Sequence, residues 1–475
     1  MSQSYSKTEE LAKSSLGRLL FKYSWPALVA MTLNALYSVV DRIFIGQSCG
    51  VDAMAGLTLV MPIVMFFSAF GVFIGAGHSA VLSIRLGEKN FTACGRLLGQ
   101  LISYKLAFFC ILPPLVFFNA DTVLEWCGAD KVTSGALECA EVYLKTVVFS
   151  HLFSHLAFGL SAMQRAEGAA IESMICMIIG FSLNIVLDAL FIFGFDMGIK
   201  GAAWATNIAM FASCLWAFKY YLSGKSTVKL KLSNIKFHRG MLFRPAAIGF
   251  APFLQQLMSS LIVVSLQLAF TRWISDPSAR TAQIASLGVF HASLIFVLMP
   301  ILGCQQGLQP IFGFNWGARN YSRVLGVLKT GFAVTGVLCV VAFAVQVIPP
   351  FPTILAKLFI SSSEVSLIKL AASDLALSNS MLWCISVNVL ATTFFQSIGK
   401  PIVAITLSML RQGGVMLPLI WFLPYFLEDK SFAIWMAMPV ADVLCCLATL
   451  PVLAKYWHFL ARAAAAINLG KKKLK

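Results

Sequence analysis

Twelve long apolar runs constrain the fold more than any other feature of this sequence. A helix needs about 20 apolar residues to cross the ~30 Å hydrocarbon core of a bilayer. The runs lie near residues 23–45, 55–83, 97–118, 142–163, 172–195, 201–222, 245–270, 282–312, 329–348, 376–396, 402–426 and 432–454. Charged residues are only 12% of the chain, whereas soluble domains carry roughly 25%. The sequence therefore predicts an all-α integral membrane protein with 12 transmembrane helices.

The basic residues indicate how the chain crosses the membrane. The net charge is +16, and most Lys and Arg fall in segments that share one side when the N-terminus is inside. This asymmetry follows the positive-inside rule and places both termini in the cytoplasm, as expected for a multi-pass protein of the cytoplasmic (inner) membrane. Orientation in a lipid bilayer accounts for the basic patches, so we expect no nucleic-acid partner.

An internal repeat divides the chain into two halves. Residues 73–91 align with 303–321, and at nearly the same spacing Gly168 aligns with Gly399 and Trp204 with Trp435. Two six-helix halves with the same orientation form parallel repeats, here expected as bundles around a central cavity, which is the architecture of secondary transporters. We expect a cytoplasmic N-terminal segment (1–22), a first lobe (23–222), a basic cytoplasmic linker (223–244), a second lobe (245–454) and a basic cytoplasmic tail (455–475).

Three acids lie well inside the apolar runs: Asp41, Asp188 and Asp442. An aspartate at the centre of a membrane helix costs about 2.5–3.5 kcal/mol on insertion scales, and such residues usually mark ion or proton pathways. For Asp41 the alternative is an interfacial pair with Arg42. Adjacent residues point about 100° apart on a helix, however, and do not face each other.

Oxygen-bearing side chains accompany two of these acids at one-turn spacing. Residues four apart share a helix face, and three such pairs are present: Tyr37 with Asp41, Asn184 with Asp188, and Ala202 with Thr206. Carboxylate, amide, hydroxyl and carbonyl oxygens suit a proton or a small hard cation. Spacing alone does not establish that the three helices meet. Pro26 lacks the amide hydrogen of a normal helix and is a candidate hinge in the first span.

The second half carries uncharged polarity instead. Arg411 and Asp442 are either a structural pair or substrate contacts. Candidate residues of a substrate cavity are Asn34, Gln255, Gln256, Gln267, Gln305, Gln309, Arg411 and Asp442. Hydrogen bonds between helices are the alternative for the glutamines. His151 and His155 have metal-ligand spacing but lack an accompanying acid or cysteine, so we expect helix packing. Whether Cys127 pairs with Cys139 is left open.

Several motifs resemble the multidrug and toxic compound extrusion (MATE) family, in particular its DinF-like branch that includes MepA-type proteins. They are YSVVDRIFIGQ, SIRLGEKN, NIVLDALFIFGFDMGIKGAAWAT, LQPIFGFNWGARN and FFQSIGKP. The resemblance covers nearly the whole chain. It implies export of lipophilic, often cationic, compounds driven by inward movement of H⁺ or Na⁺.

The resemblance also implies functional positions. Pro26, Asp41, Asn184, Asp188 and Thr206 match the cation site of the first lobe in this branch, and Tyr37 and the Ala202 backbone fall at associated positions. Another branch uses acids in the seventh and tenth spans. Apart from Asp374 at an outer edge, those spans lack acids here, so a second-lobe ion site of that kind is not expected.

Two further functional classes compete with a cation-coupled drug exporter. A flippase for a lipid-linked saccharide or polysaccharide precursor needs basic residues in its cavity to hold a diphosphate, and intramembrane cations are few here. A receptor or membrane enzyme does not explain the repeat, and no nucleophile–base constellation is present. No phosphate-binding loop for ATP occurs. We therefore expect a non-enzymatic, monomeric antiporter with no cofactor other than H⁺ or Na⁺ as the coupling ion.

Overall fold

The computed structural model describes residues 10–11, 14–127, 133–241, 243–360 and 364–473, and over these residues the chain contains helices, turns and no β-strand. The α-helices are α1 Leu16–Gly87, α2 Phe91–Phe118, α3 Ala120–Trp126, α4 Ser134–Val147, α5 Ser150–Ala166, α6 Ala170–Asp188, α7 Gly198–Leu222, α8 Phe243–Trp273, α9 Pro277–Gly317, α10 Tyr321–Val347, α11 Phe351–Phe359, α12 Val365–Ser378, α13 Ile385–Ser397, α14 Pro401–Met409, α15 Leu417–Phe426 and α16 Lys430–Lys473. Two π-helical segments, Ala189–Gly194 and Leu410–Met416, continue α6 and α14. Contacts divide the chain into a first unit, Met1–Gly249, and a second unit, Phe250–Lys475.

The prediction of an all-helical membrane protein is confirmed. In the described part of the chain, ten helical stretches are long and apolar enough to cross a membrane, or eleven if α4 and α5 form one span. The first predicted span, 23–45, is not among them; it lies within α1, where the placement of several side chains, including that of Arg42, is outside the described residues. The interfacial pairing of Arg42 with Asp41 therefore stays untested.

Helix α1 contains the first two predicted spans, and its two parts pack on different neighbours. Ala30 lies in a cluster with Met177 and Phe181 of α6. Further along, Gly71 lies so close to α5 that an added Cβ would come within 1.9 Å of the His155 ring. The two parts of α1 thus lie against consecutive spans of the same bundle, as two separate spans would.

The predicted span 142–163 is broken in the structure. Helices α4 and α5 meet at a 51° bend between Val147 and Ser150. On either side, the Thr146 hydroxyl donates to the Val142 carbonyl at 2.7 Å and the Ser150 hydroxyl donates to the Val147 carbonyl at 2.6 Å. Hydroxyls that bond the preceding turn compete with backbone hydrogen bonds and bend helices. Periodicity carries no signal for such a break.

Aromatic rings form the middle of the first unit's core. The His151 ring stacks on Phe67 with centroids 4.7 Å apart, and the His155 ring stacks on Phe109 at 4.6 Å. The buried Lys105 ammonium donates to the Gly71 carbonyl at 3.2 Å. Both histidine rings thus pack against aromatic rings of the core. Among the described residues, no three His, Cys, Asp or Glu side chains converge as a metal site.

The basic segment after α7 packs on the first unit. The buried Glu167 carboxylate accepts hydrogen bonds from the Ser226 hydroxyl at 2.8 Å and from the Thr227 and Val228 amides at 3.0 and 3.2 Å. A Cβ on Gly99 would lie 2.2 Å from the Asn234 carbonyl oxygen, so only glycine allows this approach. The carboxylate is thus satisfied by the linker, which is held as part of this unit.

Trp435 is the centre of the second unit's core. Its indole is fully buried between Phe270 and Phe290, with ring centroids 5.5 and 5.4 Å away. The indole nitrogen donates to the Gln283 side-chain oxygen at 2.7 Å, which satisfies its one polar group. A buried ring with its donor satisfied fixes α16 against α8 and α9.

Candidate functional site

Small residues bring α6 and α7 into close contact. A Cβ on Gly180 would lie 3.2 Å from the Cβ of Ser213. The Ser213 hydroxyl donates to the Cys176 carbonyl at 2.8 Å. Small residues let membrane helices approach closely, and an interhelical hydrogen bond reinforces the contact. Asn184 lies about one turn after Gly180 in α6, and Thr206 lies about two turns before Ser213 in α7. The two side chains consequently face each other.

A hydrogen-bond chain joins the two helices at this point. The Thr206 hydroxyl donates to the Ala202 carbonyl at 3.1 Å, and the Asn184 amide lies 3.2 Å from that hydroxyl. With the amide oriented to satisfy its neighbours, its nitrogen donates to Asp188 Oδ2 at 2.9 Å and its oxygen accepts from the Thr206 backbone amide at 3.1 Å. Partners, rather than atom positions, decide the orientation of an amide. Asn184 therefore bridges Asp188 to α7.

Helix α1 adds a second carboxylate to this cluster. The Tyr37 ring stacks on Phe181 of α6, with centroids 5.5 Å apart and planes at 15°. Its hydroxyl lies near Thr206 and within electrostatic reach of Asp41 and Asp188. Asp41 is only 8% exposed. Three helices thus converge, and the six residues expected from the sequence lie together in the first unit: Tyr37, Asp41, Asn184, Asp188, Ala202 and Thr206.

The cluster is suited to binding a small cation. Asp188 is fully buried, and its Oδ1 has no hydrogen-bond partner among the described residues. Its helix continues as the π-helical segment Ala189–Gly194, a distortion often found at functional sites. Two desolvated carboxylates repel each other, and charges in hydrocarbon are costly. A proton or a hard cation bound by these oxygens removes that cost.

Charged and polar groups also meet in the second unit. Arg411 Nε donates to Asp442 Oδ1 at 2.7 Å, and this carboxylate is 3% exposed against 22% for the guanidinium side chain. Beside the pair is a cavity of about 40 Å³. Its lining residues are Gln255, Gln305, Asn388, Val389, Thr392, Ser408, Arg411 and Gln412.

The structure thus groups only part of the expected substrate cavity. Gln256 and Gln309 are half-buried and Gln267 is exposed, and none of the three lines this cavity. Asn34 belongs to the first unit, where it is half-buried. Sequence reasoning missed Asn388, Thr392, Ser408 and Gln412. Their signal was weak, because single polar residues within apolar runs mostly serve helix packing.

Comparison with known proteins gives the family. The sequence profile of the MatE family matches residues 26–190 and 257–422. Two curated relatives are the multidrug export proteins MepA of Staphylococcus saprophyticus (26% identical over 438 residues, 92% of this chain and 93% of that one) and of Staphylococcus aureus strain MSSA476 (26% over 441 residues, 92% and 93%).

Solved structures agree with this assignment. The structure of the MATE multidrug transporter DinF-BH in complex with a ligand is 32% identical, with a TM-score of 0.82 and coverage of 92% of this chain and 95% of that one. An outward-facing multidrug resistance MATE family transporter of the MOP superfamily has a TM-score of 0.87 at 20% identity, covering 95% and 98%, and supports the fold. The resemblance seen in the sequence is confirmed: the chain belongs to the MATE family.

Proposed function

We propose that this protein is a secondary active exporter that moves lipophilic, cationic compounds outward in exchange for inward H⁺ or Na⁺. The observation that carries the proposal is the buried oxygen cluster of the first unit, where Asp41 and Asp188 lie beside Asn184 and Thr206. The names of relatives support the substrate class. The MepA proteins are multidrug exporters, and DinF-BH is a multidrug transporter whose structure was solved with a bound ligand.

The cluster supplies coupling because its charge state changes when an ion binds. Empty, it holds two carboxylates in a low-dielectric setting, which favours an added cation. Once a proton or Na⁺ cancels the charge, Asp41 no longer attracts a cationic drug, and its contacts with α6 and α7 weaken. Ion and drug then bind antagonistically, and by linkage each lowers the affinity of the other by the same factor.

Helix α1 carries this change because it holds both Asp41 and Pro26. The helix contains Pro26 four turns before the carboxylate, and proline removes one backbone hydrogen bond and bends helices. Movement of the part of α1 that bears Tyr37 and Asp41 relative to its beginning is thus expected to follow ion binding. Substrate leaves to the outside, and the ion departs to the cytoplasm.

A flippase for a lipid-linked saccharide is less well supported. It requires unneutralised cations that hold a diphosphate. Arg411 is already paired with Asp442. The fully buried Lys105 bonds the Gly71 carbonyl within the packed core of the first unit. Neither cationic side chain is therefore available to bind the diphosphate of such a headgroup.

Transport into sealed vesicles tests the proposal. Purified protein in liposomes is given a cationic dye, with a pH gradient and a Na⁺ gradient imposed separately. We expect dye movement against the direction of one ion gradient, and collapse of that gradient should stop it. Dye movement that ignores both gradients, or that requires ATP, contradicts the proposal. Transport of a labelled diphosphate lipid instead of the dye favours the flippase.

A further inference from the structure

The Arg411–Asp442 pair lies deep in the membrane-spanning part of the second unit. Arg411 is ten residues from the start and fifteen from the end of the candidate span Pro401–Phe426. It lies on the π-helical segment Leu410–Met416, where the backbone departs from the α-helix. Such segments are frequent at functional sites because they redirect side chains. Asp442 is likewise twelve residues from the start of the candidate span Lys430–Ala466.

The geometry of the pair is poor for a purely structural bridge. A structural arginine–carboxylate pair gains most when two parallel hydrogen bonds form. Among the described residues, the guanidinium makes one hydrogen bond to this carboxylate, from Nε to Asp442 Oδ1 at 2.7 Å. A buried ion pair with incomplete hydrogen bonding repays little of its desolvation cost. Stability alone therefore does not explain these two charges.

The cavity beside the pair offers the guanidinium a second position. Gln412 Oε1 and Thr392 Oγ1 are buried and have no hydrogen-bond partner among the described residues. Both residues line the same cavity as Arg411. Buried acceptors without donors are costly, and a guanidinium has five N–H donors. These two oxygens are suited to accept it when it leaves Asp442.

We infer that Asp442 is a counter-ion for the cationic substrate. The tethered guanidinium of Arg411 occupies the position of the substrate's charge beside Asp442 until the substrate displaces it. This inference rests on the proposed function and specifies how the substrate charge is recognised. The exposed fraction of the two side chains fits the roles: the carboxylate is nearly closed off, while the guanidinium borders the cavity. The Asp442 carboxylate thereby has a cationic partner both before and after the substrate binds, while the neutral oxygens of Gln412 and Thr392 receive the displaced guanidinium.

Equilibrium binding to purified protein tests the inference without any ion gradient. The probes are tetraphenylphosphonium, whose charge does not titrate, and the uncharged triphenylmethanol. We compare wild type, Arg411→Gln, Asp442→Asn and the double variant. Arg411→Gln should bind tetraphenylphosphonium about tenfold more tightly, because the tethered competitor is gone, and Asp442→Asn about tenfold more weakly. The double variant should bind tetraphenylphosphonium no more tightly than Asp442→Asn does, because the tethered cation no longer competes for a carboxylate. The affinity for triphenylmethanol should change by less than about twofold in every variant, because this probe carries no charge. A change of that size is comparable to the deviations from additivity between separate sites.

The opposite signs distinguish this role from a structural one. If the pair only stabilises the fold, both single variants lower the melting temperature and neither changes charge selectivity. An unchanged or weakened affinity for tetraphenylphosphonium in folded Arg411→Gln overturns the inference. Binding of the anion tetraphenylborate by the wild type, and its loss in Arg411→Gln, also overturns it, because Arg411 then contacts an anionic substrate.

Loss of folding in Arg411→Gln does not end the test. Arg411→Ala prepared with methylguanidinium places a free cation beside Asp442, and tetraphenylphosphonium should displace it competitively; non-competitive binding overturns the inference. Suppose that the wild type exports the dye in vesicles and that Arg411→Gln binds the probe with unchanged affinity. This result refutes the present inference and leaves the proposed function standing. Wild type that neither binds nor exports the cation refutes the proposed function as well.

Discussion

Replacing Asp188 by Asn should uncouple drug binding from the ion. In the wild type, Asp188 Oδ2 accepts the bond from Asn184 at 2.9 Å, while Oδ1 is buried without a partner among the described residues. The amide has nearly the same shape, so packing is retained, but it has no charge for a proton or Na⁺ to cancel. The α6–α7 contact at Gly180 is about two turns away and is untouched.

The size of the effect follows from linkage. Coupling free energies of about 1–3 kcal/mol correspond to roughly 5- to 150-fold changes in affinity. Wild-type affinity for tetraphenylphosphonium should therefore fall by a factor in this range when the pH is lowered or Na⁺ is raised. In Asp188→Asn we expect the dependence to flatten to less than about twofold, well under the lower limit of that range. Coupled efflux from vesicles should be lost with it.

Asp196→Asn is the matched control. This acid lies eight residues further along, is exposed, and has a φ of 53°, a conformation that asparagine tolerates as well as aspartate. Its binding and transport should equal those of the wild type. Full ion dependence and wild-type pumping in folded Asp188→Asn would show that the cluster is not the coupling site.

Three further predictions concern the same unit. Asp41→Asn should abolish coupled efflux and flatten the ion dependence of drug affinity, measured as for Asp188, and wild-type pumping by this variant contradicts a role for α1. Thr206→Val removes the hydroxyl between Ala202 and Asn184. The loss of about 1 kcal/mol of hydrogen bonding should weaken the affinity for the ion roughly fivefold in an ion titration. An unchanged affinity excludes the hydroxyl from the site. Glu167→Ala leaves the Thr227 and Val228 N–H groups without their acceptor. The free energy of unfolding should fall by about 2–4 kcal/mol in denaturant titrations, and an unchanged midpoint means that the linker is not held there.

Much of the architecture follows from the sequence through local physics. A bilayer leaves backbone groups no solvent partners, so long apolar runs must be helices, and this holds for α2, α7, α10 and α16 alike. The one-turn spacing that placed Asn184 with Asp188 and Ala202 with Thr206 is a property of any α-helix. The repeat and the embedded acids therefore indicate a transporter from the sequence alone, and the sequence motifs carry the resemblance to the MATE family.

Tertiary packing decided what spacing does not encode. Periodicity fixes which residues share a face of a helix but not which neighbour that face meets. Tyr37 and Asp41 reach Asp188 because α1 packs on Phe181, and α6 reaches α7 because Gly180 admits Ser213. In the second unit, helix rotation left Gln267 exposed and turned Thr392 and Gln412 inward.

The repeat shows the same limit at a single pair of residues. Trp204 and Trp435 are equivalent in the sequence, yet Trp204 is 45% exposed while Trp435 is fully buried and bonded to Gln283. An indole is apolar enough for lipid and polar enough for a buried hydrogen bond, so its own chemistry does not choose between these places. The neighbours that each helix acquires on folding make that choice.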